Sequence, residues 1–154
     1  MIELDYSREH NFLMSRARGK IVLADLLAFH DRMDKLNVAA DYRSLADFRS
    51  ADLSSLSSSD IRRNKHRGNE VAIRAGGNDR FALVVDKPFE FGMARMYEMI
   101  DECDELTMRV FRSFNDAIVW LDVSKKTVGG LLRLLKAPSS KPVPDQERLI
   151  SSAK

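Results

Sequence analysis

A short run without a polar residue, Phe81-Ala82-Leu83-Val84-Val85, constrains this chain more than any other stretch. Continuously apolar and partly β-branched, it reads as a strand buried on both faces. Asp86-Lys87-Pro88 ends it. From Phe91 onward, Met93, Met96, Tyr97 and Ile100 recur at three- and four-residue steps, the period of an amphipathic helix laid on a sheet. Strand, tight loop and helix therefore follow one another between Phe81 and Ile100, and the rest of the chain has to supply the sheet.

Upstream, Ile2, Leu4 and Tyr6 alternate with Glu3, Asp5 and Ser7, and after Arg8-Glu9-His10-Asn11 an apolar segment runs from Phe12 to Ala17. Two half-buried strands joined by a turn fit this pattern. Val22, Leu23, Leu26, Leu27, His30, Met33 and Leu36 fall on one side of a helix from about Ile21 to Lys35. Tyr42 to Phe48 reads as the next strand, with Asp47 at its carboxyl end and a serine-rich connection from Arg49 to Ser59 beyond it. Ser57-Ser58-Ser59-Asp60 has the form of a capping box, opening a helix that runs to about Ala75 and stops at Gly76-Gly77. A break near Gly68, with Val71 to Arg74 as a short strand, is the alternative. Thr107 to Arg112 gives a last strand, and Ser113 to Asp116 caps a short helix ending at Leu121. Helix-length crossovers make the later part of the sheet parallel, while the opening hairpin is antiparallel.

The 154 residues, 44% of them hydrophobic and 31% charged, suit one domain with its own core. With 25 basic and 23 acidic residues, the net charge of +2 is too small to drive the whole chain onto nucleic acid or an acidic membrane. The single cysteine, Cys103, allows no internal disulfide, and its acidic neighbours Asp101, Glu102, Asp104 and Glu105 disfavour a reactive thiolate. There is no basic leader and no apolar run long enough to span a bilayer, so the expected home is the cytoplasm. After Leu121 the composition turns to Lys, Gly, Pro and Ser. Residues 1–121 therefore read as the domain and 122–154 as a polar, mostly disordered tail, in which Val128, Leu131, Leu132, Leu134 and Leu135 make two helical turns only if given a surface.

Four stretches, taken in order, carry a family likeness. They are Leu45-Ala46-Asp47-Phe48-Arg49, then Leu56 to Arg62, then Phe91-Gly92-Met93-Ala94-Arg95-Met96-Tyr97-Glu98, and finally Val110-Phe111-Arg112 with Ala117 to Leu121. Together they resemble the bacterial STAS-like proteins, which share the fold of the anti-sigma-factor antagonist SpoIIAA. The resemblance covers residues 1–121. It implies an α/β fold, SpoIIAA-like, with a mixed sheet of four or five strands and helices packed mainly on one face. It also implies a regulatory or ligand-binding role in place of catalysis. Antagonists of that type carry an Asp-Ser-Ser-Gly motif with a switch serine after the strand that here ends near Asp47. In this chain Ser55-Leu56-Ser57-Ser58 stands in its place, without the aspartate or the glycine. Ser57 and Ser58 remain candidate phosphoacceptors at a helix start, where the dipole favours negative charge, with simple capping as the alternative.

The residues offer little to catalysis. His10, His30 and His66 have no metal-ligand spacing, Cys103 stands alone, and no glycine-rich phosphate loop is present, so no enzyme, metal or cofactor is expected. Arg62, Arg63, Lys65, His66, Arg67 and Arg74 make one helix basic, but no aromatic residues interleave it, so it reads as a solvated face and nucleic acid is not the expected partner. Candidate binding residues gather at the strand ends: Asp47, Arg49 and Ser57, and opposite them Phe89, Phe91, Gly92 and Arg95, where ligands sit in open α/β sheets. The expectation is a non-enzymatic regulatory or protein-interaction module whose partner is another protein or a second copy of itself. The alternative is a binder or carrier of a small apolar ligand or lipid, by analogy with CRAL-TRIO-type folds, in which a groove lies between sheet and helices. Whether the sheet and the helix after Gly92 close tightly or enclose a cavity separates the two.

Overall fold

The computed structural model describes residues 1–100 and 106–136; Cys103 with its acidic neighbours, and the tail from residue 137, lie outside the described residues. In chain order the elements are β1 (Ile2–Ser7), β2 (Phe12–Lys20), α1 (Leu23–Lys35), β3 (Tyr42–Asp52), α2 (Ser58–Arg74), β4 (Asn78–Val84), α3 (Pro88–Met99), β5 (Met108–Phe111), α4 (Phe114–Leu121) and α5 (Lys125–Lys136). The strands form one sheet in the order β1-β2-β3-β4-β5. β1 runs antiparallel to β2, and β2 to β5 are mutually parallel. Each crossover therefore steps to the adjacent strand in the same direction, and the right-handed rule puts α1, α2 and α3 on one face.

Alternation along each strand sorts the side chains into two cores. Phe12, Met14, Leu45, Ala82 and Val84 point to the second face, where Ala117, Ile118 and Leu121 of α4 and Val128 and Leu131 of α5 cover them. On the first face, Leu4, Tyr6, Leu13 and Tyr42 meet Met33, Leu36 and Val71, while Leu83 and Val85 meet Ala94. β4 is thus buried on both sides, as its apolar run requires.

Several expectations change. Helices cover both faces, three against two, where the resemblance implied mainly one, because α5 finds the apolar underside of β2 and buries Val128 there. The packed part of the chain therefore extends past Leu121, the boundary expected from composition, to at least Leu131. For the same reason β1 is not half-buried: Glu3 and Asp5, on its α5 side, are only 8% and 6% exposed. β3 continues beyond Phe48 to Asp52 because Ser50, Ala51 and Asp52 pair with Arg18, Gly19 and Lys20. α3 begins at Pro88, where a missing N–H costs nothing, so Phe89 and Phe91 are helical. α2 runs unbroken through Gly68 and ends before Gly76 and Gly77, whose φ of +91° and +92° suits glycine.

Candidate functional site

The first-face core is not filled. Ser15 of β2 and Ser44 of β3 both point into it; Leu13 pairs with Ser44 and Ser15 with Ala46, so the two hydroxyls are diagonal neighbours across adjacent strands. Tyr42 lies two residues before Ser44 and shares its side of the strand. Tyr97 comes down from α3, His30 from α1 and Asn64 from α2. These groups line a cavity of about 90 Å³ between the sheet and α1 to α3, and the rest of its wall is apolar, with Phe29, Phe48 and Phe81 beside Met33 and Met93. Among the described residues no Asp, Glu, Lys or Arg lines it.

His30 Nε2 lies 2.8 Å from Asn64 Oδ1. Burial, opposed by that hydrogen bond, pulls the imidazole from its ordinary 6.5 down to about 4, so it is neutral at pH 7. The amide oxygen accepts, so Nε2 carries the proton and Nδ1 is a buried acceptor without a partner. Burial also raises the phenols of Tyr42 and Tyr97 well above their ordinary value, with Tyr42 adding to the effect on Tyr97. Both stay protonated. Gly68 explains how Tyr97 and His30 come so close to α2: a Cβ there would lie 2.8 Å from Tyr97 Oη and 3.1 Å from His30 Cε1. Ser15, Ser44, Tyr42 and Tyr97 bring four hydroxyl-bearing side chains to the same cavity, and His30 Nδ1 is buried among them without a partner.

The strand-end residues expected from sequence lie elsewhere. Asp47 is buried on the second face, where Arg49 donates from Nε and Nη2 to its two oxygens, both at 2.9 Å. The backbone N–H of Arg49 adds a bond of 3.2 Å, and Arg16 Nη2 approaches to 3.5 Å. Burial would raise the Asp47 carboxyl, but the bonds from Arg49 and the charge of Arg16 outweigh it and hold the group below the usual range. The Arg49 guanidinium also sits 4.8 Å from the centre of the Phe114 ring. Asp47 and Arg49 thus form a clasp on the side of the sheet away from the cavity.

Ser57 caps α2: its Oγ accepts from Asp60 N at 3.1 Å, and Asp60 Oδ2 accepts from Ser57 N at 3.0 Å. Ser58, the first helical residue, is exposed. Phe89 is 51% exposed on α3, Gly92 is also exposed, and Arg95 pairs with Glu98 on the outside. Phe91 is partly buried beneath Arg112, whose guanidinium lies 4.2 Å from the ring centre. None of these four lines the cavity; Met93 and Tyr97 of the same helix do.

The basic helix is largely engaged. Arg67 meets Asp31 at 2.8 Å, Arg74 pairs with Asp34, and Lys65 is buried with Nζ 4.5 Å from the Tyr97 ring centre. Among the described residues no three His, Cys, Asp or Glu side chains gather as metal ligands, and no helix is long and apolar enough to cross a membrane. Sequence reasoning missed Ser15, Ser44, Tyr42, Asn64 and Gly68 as a group. The available signals were a polar residue in the inward phase of two apolar strands and a glycine in mid-helix. Comparison with protein-family profiles, with curated proteins and with solved structures finds no match for this chain.

Proposed function

We propose that this chain is a cytoplasmic, non-enzymatic binding module on a STAS-like scaffold that takes a small, largely apolar ligand between its sheet and α1 to α3. The observation that carries this reading is the set of four hydroxyl side chains with His30 and Asn64 in an otherwise apolar cavity of about 90 Å³, where His30 Nδ1 is buried without a partner. A buried polar group without a partner costs about 1–3 kcal/mol, so His30 Nδ1, set among these hydroxyls, calls for something to bond with. The scaffold assignment is supported by the sequence likeness and by the one-way succession of β2 to β5 with α1 to α3 on one face.

Native mass spectrometry of the gently purified protein, followed by denaturing extraction, tests the proposal. A stoichiometric low-mass adduct released on unfolding is the expected result. An adduct-free folded mass, combined with an unchanged melting temperature across a panel of small ring compounds, would overturn it.

A second reading, docking of another protein or a second copy, is favoured by a different surface. Phe89, Gly92, Met96 and Met99 follow one another along the outside of α3, and Phe89, Met96 and Met99 are 51%, 38% and 73% exposed. Light scattering distinguishes monomer from dimer, and on this reading Met96→Asp converts a dimer to monomers.

A further inference from the structure

We infer that the ligand is an uncharged single-ring molecule carrying one hydroxyl group, of the phenol class. The inference rests on the cavity reading above and specifies what that cavity admits.

Charge is the first constraint. Among the described residues no carboxylate, ammonium or guanidinium lines the space, and His30 is neutral there. The nearest buried cation in the same layer, Lys65, faces the Tyr97 ring and Met108 Sδ, and is not part of the wall. The Asp47–Arg49 clasp lies on the opposite face of the sheet. An ion brought into such a space would lose its hydration and touch no counter-charge among the described lining residues, a penalty of several kcal/mol.

Size is the second. An apolar cavity of about 150 Å³ takes benzene, so about 90 Å³ admits one ring only if the wall opens by roughly a further 60 Å³, and it leaves no room for a lipid chain. Met33 and Met93, flexible and polarisable, are the side chains able to yield. Phe29, Phe48 and Phe81 offer flat surfaces for an aromatic ring.

Polarity is the third. Ser15, Ser44, Tyr42 and Tyr97 each bring a donor and lone pairs to the cavity, and His30 Nδ1 is an acceptor there without a partner. A ligand hydroxyl both donates and accepts, so a single such group can satisfy neighbours of that kind in both senses. A pure hydrocarbon of the same size would leave His30 Nδ1 bare.

The test uses the full chain with phenol, toluene, benzoate and benzylamine as probes, read by calorimetry and thermal shift at neutral pH. Phenol is expected to bind saturably, toluene at least tenfold more weakly, and the two charged probes not at all. Ser44→Ala and Tyr97→Phe should each weaken phenol about tenfold while leaving toluene unchanged, and retained toluene binding shows that the variant is folded with its cavity intact. Benzoate or benzylamine binding as tightly as phenol would overturn the uncharged class while sparing the cavity. Toluene matching phenol would overturn the role of the hydroxyls. Failure of all four probes would overturn the cavity reading itself, and this inference with it.

Discussion

His30 of α1 and Asn64 of α2 are joined by one buried hydrogen bond of 2.8 Å. Burial keeps the imidazole at about 4 against its ordinary 6.5, even though Asn64 pulls the other way. The unfolded chain takes up a proton as pH falls through 6.5, whereas the folded chain resists until about 4, so this contribution is complete above 6.5 and is lost between 6.5 and 4. At about 1.4 kcal/mol per pKa unit the loss is ~3 kcal/mol. Urea midpoints measured across that window should fall with acidification, and His30→Gln should flatten the slope.

Gly68→Ala sets two effects against each other. Alanine favours a helix by about 1 kcal/mol, but its methyl would meet Tyr97 Oη at 2.8 Å. Both Tyr97 Oη and, at 3.1 Å, His30 Cε1 would have to give way, so overpacking wins, and the variant should be destabilised by about 1–2 kcal/mol. In a Tyr97→Phe background the same change should become neutral or stabilising. A double-mutant cycle by chemical denaturation reads the coupling directly.

Asp47→Asn would leave Arg16 and Arg49 around a neutral amide. The side chain of Arg16 is 8% exposed and that of Arg49 38%, so only the first is stranded in the interior. The cost should be about 3 kcal/mol, the lower end for breaking a buried ion pair, since Arg49 can turn to water. Guanidinium unfolding of the variant, compared with Arg49→Ala, checks the order: Asp47→Asn should be the more damaging.

Val128→Ala tests whether α5 belongs to the folded unit. Val128 is 1% exposed against Phe12 and Met14, and its truncation should cost about 2 kcal/mol. Val119→Ala, at a position 76% exposed, serves as the control and should change stability by less than about 0.5 kcal/mol. Equal midpoints for the two variants would show that α5 adds nothing.

Local patterns made most of the architecture readable. Phe81 to Val85 declares a buried strand, Ser57 and Asp60 declare a helix start, and the spacing from Leu26 to Leu36 declares a covering helix. Boundaries drifted where a residue carries two meanings. Pro88 reads as a break and acts as the first residue of α3, and the polar stretch after Phe48 reads as a loop and pairs with the polar end of β2. α5 was legible only as two helical turns in want of a surface, because its glycines and lysines suit a tail and only the underside of β2 gives Val128 and Leu131 a place to go. The cavity was the least legible part. Its polar groups come from five elements, and no short window of sequence contains more than two of them. Helical spacing did place Tyr97 inward, but inward residues are ordinarily packed against one another, and a space left beside them is a property of the assembled layers.

The contact of α5 with the first hairpin links opposite ends of the described chain. During synthesis β1 and β2 emerge early and must wait, with Phe12 and Met14 uncovered beneath them, until residues 125–136 arrive to close that side. Once closed, the same arrangement makes the oldest part of the fold depend on its newest. Whenever α5 lifts, the lower side of the hairpin is opened to water, so amide exchange in β1 becomes a gauge of how firmly that distant helix is seated.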